Sequence, residues 1–230
     1  MLLFLHLGGV EYEKVFSAVP NRGQSLGEEV ANSISHGLGL VAAIVGTPFL
    51  ILSAIDYADL SFLVGVSIFS GTMILLYLAS TLYHAMPKGK AKYVFRVIDH
   101  SAVYLLIAGT YTPFTLGVLQ GVWGWSLLAA VWTLALVGVA LKAFGKASHP
   151  AISTTLYVIL GWLILIAIKP LVLLMEPNGL ILLVLGGVLY TLGVVFFVID
   201  SKLHYGHLVW HLFVVAGTVC HYFAIFYYGA

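Results

Sequence analysis

The sequence predicts an all-α integral membrane protein: a bundle of seven transmembrane helices with the N-terminus in the cytoplasm and the C-terminus outside. Three observations predict it. The first is composition. Of 230 residues, 61% are hydrophobic and only 8% are charged, with a mean hydropathy of +1.06. A soluble domain carries about 25% charged residues, so this chain lacks the polar surface to face water on all sides. That excludes a soluble enzyme and a disordered chain. The net charge of +1 leaves no basic field for a nucleic acid to bind. The single cysteine, Cys220, excludes an intrachain disulfide and a paired-cysteine metal knuckle.

The second observation is segmentation. A spanning helix needs about 20 mostly apolar residues. Seven such segments run near Val30–Ile55, Leu60–Ala85, Val97–Val118, Trp123–Leu141, Ile152–Met175, Leu180–Ile199 and His207–Tyr228. None alternates polar and apolar residues as an outer-membrane strand would. Pro113 is expected to bend the third segment, and Lys169-Pro170 to end or kink the fifth. Gly117, Gly121, Gly186, Gly187 and Gly193 offer places for close helix approach. Residues 1–29 precede the bundle as an N-terminal arm, interfacial or poorly ordered, and residues 30–230 form the seven-transmembrane domain.

The third observation is charge asymmetry. Lys14, Arg22, Lys88, Lys90, Lys92, Arg96, Lys142, Lys146 and Lys202 all fall on one side of the segments, and only Lys169 on the other. Cytoplasmic loops hold the excess of Lys and Arg, which places the N-terminus inside. Trp123, Trp125, Tyr227 and Tyr228 then belong to an outer aromatic belt. The location that follows is the cell membrane, with membrane lipids as partners; a homo-oligomer is compatible with the sequence.

Polar groups within apolar segments are costly and need a reason. Glu29, Asn32 and His36 share one face of the first segment. Ser80 and His84, four residues apart, close the second, and Asp99 and His100 open the third. His207 and His211, again four apart, open the seventh. The topology puts all of them at the cytoplasmic end.

Imidazoles beside a carboxylate suit zinc, and a catalytic zinc has three protein ligands with a fourth position for water. His84, His207 and His211 supply three imidazoles. Asp99 is either a fourth ligand or the group that holds the water, and Ser80 is a hydrogen-bond partner at the site. Glu29 is an outer partner or a proton carrier. Plainer readings stand beside these. A histidine pair at a membrane border can simply reach to water, and Asp99 can cap a helix. His36 is an outer partner of the site or a packing residue bonded to Asn32. His100, His149 and His204 read as loop or interfacial residues, and His6 as part of the arm. His221 lies about 15 Å further along its helix, too deep for the same metal, and reads as a buried histidine bonded to a neighbouring helix. Lys88, Lys90, Lys92 and Arg96 read as topology signals or contacts to anionic headgroups.

Together these patterns resemble the haemolysin III family, which belongs with the progestin and adipoQ receptors, including the adiponectin receptors. The resemblance rests on ExxNxxxH at Glu29–His36, SxxxH at Ser80–His84, Asp99, HxxxH at His207–His211, and the stretches IDHSAVYLLIAGTYTPF and GHLVWHLFVVAGTVCHY. It covers the chain from about Glu28 onward; the apolar arm departs from it. The resemblance implies seven helices, a cytoplasmic N-terminus and one intramembrane zinc. It implies zinc on His84, His207 and His211, with Asp99 beside the zinc's water and Ser80 and Glu29 close by. The function expected is a zinc-dependent hydrolase of lipid amides or esters within the bilayer. Two alternatives remain open: a receptor or sensor of membrane state with structural zinc, and a pore-forming cytolysin, as the family name implies.

Overall fold

The computed structural model describes residues 22–57, 59–145 and 150–230. Residues 1–21, with most of the expected arm, His6 and Lys14, lie outside the described residues, as do Lys146 and His149. Among the described residues the chain is helical and has no strand. The elements are α1 (Leu26–Asp56), α2 (Leu60–Ala85), α3 (Lys90–Leu116), α4 (Gly121–Ala143), α5 (Pro150–Gly161), a 3-10 segment (Leu163–Ala167), α6 (Ile168–Leu174), α7 (Pro177–Ile199) and α8 (Gly206–Tyr228). Sequential neighbours from α1 to α4 pack on one another, α7 packs on α8, and α8 returns to α1.

Among the described residues, six helical stretches are long and apolar enough to cross a membrane: α1, α2, α4, Ala151–Leu174, α7 and α8. The protein is thus an integral membrane helical bundle. Its other long helix, α3, falls below that measure because its buried face is polar. Asp99, Ser101, Thr110, Thr112 and Thr115 are all buried on it. The helix tolerates them because its threonine hydroxyls turn back onto its own carbonyls: Thr110 donates to Leu106 O and Thr112 to Ala108 O, each at 2.8 Å. Trp132 Nε1 on α4 donates to Thr112 Oγ1 at 3.1 Å. With its threonine hydroxyls satisfied on its own backbone, α3 can sit in the interior between α2 and α4.

Three helix boundaries differ from the apolar segments, each for a local reason. α1 starts at Leu26, before the apolar run, because Ser25 and Glu28 form a capping box that satisfies its first turn. α3 starts at Lys90, well before Val97, so Asp99 lies inside the helix; its N-cap is Gly89 and the capping role considered for Asp99 does not apply. His100 likewise lies within α3, not in a loop. The fifth span breaks at the 3-10 segment, before Lys169-Pro170. A proline in a continuous helix would clash with the carbonyl four residues earlier. Restarting at Ile168 puts Pro170 in the first turn of α6, where its missing N–H is not needed.

Tyr111 on α3 closes this break. Its hydroxyl sits 3.0 Å from Leu160 O and 2.8 Å from Gly161 O, and accepts from Ile164 N–H at 2.8 Å. Close helix approach occurs at Gly65, where a Cβ would lie 2.7 Å from the Pro113 Cα. It occurs also at Gly117, Gly186 and Gly193, whereas Gly121 faces open space.

Tyr111→Phe strips the break of its hydrogen-bond partner in an apolar interior. Each group left unpaired costs about 1–3 kcal/mol. Thermal unfolding in detergent is expected to show a lower midpoint for Tyr111→Phe than for Tyr93→Phe, a substitution outside this break.

Candidate metal centre

The first two turns of α1 hold the side chains that organise one end of the bundle. Glu29 Oε2 lies 2.8 Å from His84 Nδ1 at the end of α2. Its other oxygen pairs with Lys92 Nζ at 2.9 Å. Lys92, on the first turn of α3, also donates to Tyr83 O and Met86 O at 3.1 and 3.2 Å. It thereby neutralises the carbonyl end of α2. One turn further along α1, the Asn32 carbonyl lies 3.2 Å and Ser35 Oγ 3.0 Å from His211 Nδ1. Ser35 donates its own hydroxyl hydrogen to Asn32 O at 2.8 Å, leaving its oxygen free to accept. The third histidine, His207, has Nδ1 at 2.9 Å from Asp200 Oδ2, at the C-terminal end of α7.

The three imidazoles converge. Ring centroids are 5.1 Å apart for His84 and His207, 5.0 Å for His84 and His211, and 4.7 Å for His207 and His211. One ring nitrogen from each lies within 4.8 Å of the others, so the group can hold a metal ion. The chemistry of the donor set fits one. Each Nδ1 faces an oxygen acceptor, which fixes the tautomer with the proton on Nδ1 and leaves Nε2 as the lone-pair donor. His84 Nε2 is buried and has no partner among the described residues.

His36 stacks flat on His211, with centroids 3.6 Å apart and planes 7° from parallel, and meets Tyr77 edge-on. Neither of its ring nitrogens has a hydrogen-bond partner, so it packs against the centre without bonding to Asn32. Asn32 itself is buried and donates from Nδ2 to Gln24 Oε1 at 2.8 Å. Ser80 is fully buried one turn before His84, its Oγ without a partner. Asp99 is 6% exposed and lines a cavity of about 110 Å3 together with His36, His207 and His211. The rest of that cavity is mostly apolar, with Leu76, Val103, Leu106, Ile107, Val194 and Val214 in its wall. Among the sequence candidates, then, His84, His207 and His211 come together directly. Glu29, Asn32 and His36 touch them, and Asp99 faces the same cavity.

His221 also lines this cavity, but its ring nitrogen is bonded elsewhere. Its Nε2 lies 3.0 Å from Leu183 O on α7, and its ring rests against Gly186. His204 is exposed in the turn before α8, beside Arg22 at 3.1 Å. Sequence reasoning passed over Ser35, Asp200 and Glu28, and it read Lys92 and Arg22 only as loop charges, where the structure pairs them with Glu29 and Glu28. The Ser25-x-x-Glu28 capping box was a readable signal for Glu28. Nothing in the spacing marks Asp200 as the partner of His207. Outside the spans, the Glu28 carboxylate raises the Arg22 guanidinium further above its ordinary pKa.

Fold and site together define a class: a multi-pass protein of the cell membrane with a buried three-histidine group able to hold a metal ion. A family model described as "Haemolysin-III related" matches residues 24–222. The chain is 44% identical to the "Hemolysin-3 homolog" of Bacillus subtilis (strain 168) over 201 residues, 87% of this chain and 94% of that one. It is 44% identical to "Hemolysin-3" of Bacillus cereus over 205 residues, 89% and 93% of the two chains. It is also 27% identical to the human "Monocyte to macrophage differentiation factor" over 210 residues, 87% and 84% of the two chains. The chain belongs to the haemolysin III family, within the progestin and adipoQ receptor superfamily.

Asp200→Ala removes the acceptor that orients His207. Loss of such an outer partner lowers metal affinity about 10–100-fold, and chelator competition with added zinc is expected to read a fall of that size. Asp59→Ala, at a helix cap away from the histidines, is expected to leave the affinity unchanged.

Proposed function

We propose that this protein is a zinc-dependent hydrolase of lipid amides or esters, acting inside the bilayer. The observation that carries the reading is the shared cavity. Its lining joins His207, His211 and Asp99 to a wall that is mostly apolar, as a substrate with a polar scissile group and an alkyl chain requires. His84, His207 and His211 would hold the ion through Nε2, and zinc is the metal that three neutral imidazoles with an open position suit best. When bound, zinc supplies a Lewis acid and an activated water near neutral pH. Asp99 then acts as general base, taking the proton of the attacking water. The Ser80 hydroxyl, buried one turn before His84, donates to the oxyanion that develops on the substrate carbonyl. Apolar cavity walls hold the acyl chain and keep bulk water out.

The reading includes α3 as a seventh span. It runs between α2 and α4, and a helix whose threonine hydroxyls bond to its own carbonyls can cross without high hydropathy. The loop charges then put the N-terminus in the cytoplasm and the histidine centre near that face.

Two experiments test these statements. Purified protein loaded with zinc is expected to cleave members of a panel of lipid amides and esters. Asp99→Asn is expected to keep its zinc and lose about 10²–10⁴ in kcat. Equal turnover in both, or none in a zinc-loaded wild type, would sink the hydrolase reading. For topology, single cysteines at Lys88 and Lys202 in a Cys220→Ser background should react with an impermeant thiol reagent only from the cytoplasmic side. Cysteines at Gln120 and Glu176 should react only from outside.

A further inference from the structure

Glu28 is 3% exposed, yet its carboxylate is crowded with donors. It accepts from Arg22 Nη1 at 2.9 Å and Nη2 at 2.5 Å, from Ser25 N–H at 2.9 Å and from Tyr205 N–H at 2.9 Å. The Ser25 bond belongs to the helix cap. The Tyr205 bond does not: it crosses from the start of α1 to the start of α8. Arg22 reaches the same turn, with Nη2 at 3.4 Å from Leu203 O and Nη1 at 3.1 Å from His204 Nδ1. The Tyr205 hydroxyl in turn lies over Gly27, 3.1 Å from where a Cβ would sit.

That turn matters to the metal centre. Tyr205 is held in the left-handed region, φ 57 and ψ 16, a conformation that a bulky non-glycine residue seldom adopts. It therefore needs an outside hold to persist. It is the residue from which α8 departs, two positions before His207. The same turn starts at Asp200, which orients the His207 ring. A bidentate Arg–carboxylate pair gives directional restraint.

We propose that Arg22 and Glu28 form a latch that positions His207 and His211 for metal binding. Glu28 is a positioning residue: it touches no ligand nitrogen and acts through the Tyr205 backbone. The proposal rests on the metal reading of the three histidines, though not on hydrolysis. His84, held from Glu29, keeps its place when the latch opens, while His207 loses the fixed departure of its helix. Metal sites tolerate displacements of only about 0.2 Å in ligand distance, so the ion is bound less tightly.

The test uses the full chain purified in detergent, with zinc alone as the probe. Chelator competition gives the zinc Kd of the wild type, Glu28→Gln and Arg22→Gln, and thermal unfolding is recorded with and without zinc. The expected result is a Kd about 10–100-fold weaker in both variants. Metal-free melting should stay near that of the wild type, and the zinc-induced rise in Tm should shrink to match. If Glu28→Gln fails to fold, Arg22→Gln, at a partly exposed position, decides alone. Unchanged zinc affinity, with Tm lowered equally in metal-free and loaded protein, would make the pair a plain helix cap and overturn the latch. A wild type that takes up no zinc would overturn the metal reading itself, and the latch's role with it.

Discussion

The constraint on which this fold turns is the cost of placing imidazoles and carboxylates inside an apolar bundle. A buried polar group without a partner is penalised by several kcal/mol where no water can reach it. The protein meets that constraint at one end, with a single stretch of α1. Within residues 28 to 35, Glu29 engages His84 and Lys92, and the Asn32 carbonyl and Ser35 engage His211. Glu28 engages the turn that launches His207. One short helical face thus holds the ends of α2 and α8 and, through Lys92, the start of α3. The hydrogen bonds share a direction: oxygens take up Nδ1, so the lone pairs at Nε2 are left over. His84 Nε2, buried and unpaired, is the atom for which protein alone offers nothing.

The same constraint shapes the middle of the bundle. α3 carries more polar residues than a lipid-facing helix could, and it is the helix most enclosed by others. Its threonines are satisfied on its own backbone, and its Tyr111 hydroxyl supplies the carbonyls and the N–H that the 3-10 break exposes. The break sits where the cavity is, with Gly161 and Trp162 in the cavity wall. Trp162 Nε1 donates to Thr191 Oγ1 on α7 at 3.0 Å, so even the indole at this point is paired. Irregular backbone is acceptable at membrane depth only where protein surrounds it or it lines a cavity, and both hold here.

His221 and His36 show how similar residues take different roles from their surroundings. His221 turns Nε2 to a backbone carbonyl on α7 and packs its ring against Gly186, a close fit that a side chain at that glycine would prevent. His36 has no such acceptor and instead lies face to face with His211, filling the space behind it.

The sequence by itself determined what depends on composition and on spacing along one helix. Scarce charge required a membrane interior, since no water-facing surface could be built. The four-residue intervals of Ser80 to His84 and His207 to His211 put each pair on one face, because a helix repeats every 3.6 residues. The fifth span's interruption was legible as Lys169-Pro170, though not its place. Tertiary structure decided what depends on contacts between helices. It chose Asp200 and Ser35 as the partners of His207 and His211, carried α3 back to Lys90, and moved the helix break to where Tyr111 could satisfy it. It also put Glu28 against Tyr205, 177 residues away along the chain. Spacing describes one helix at a time, whereas the partner of a buried polar atom is whichever oxygen or nitrogen the packing of other helices brings within 3 Å.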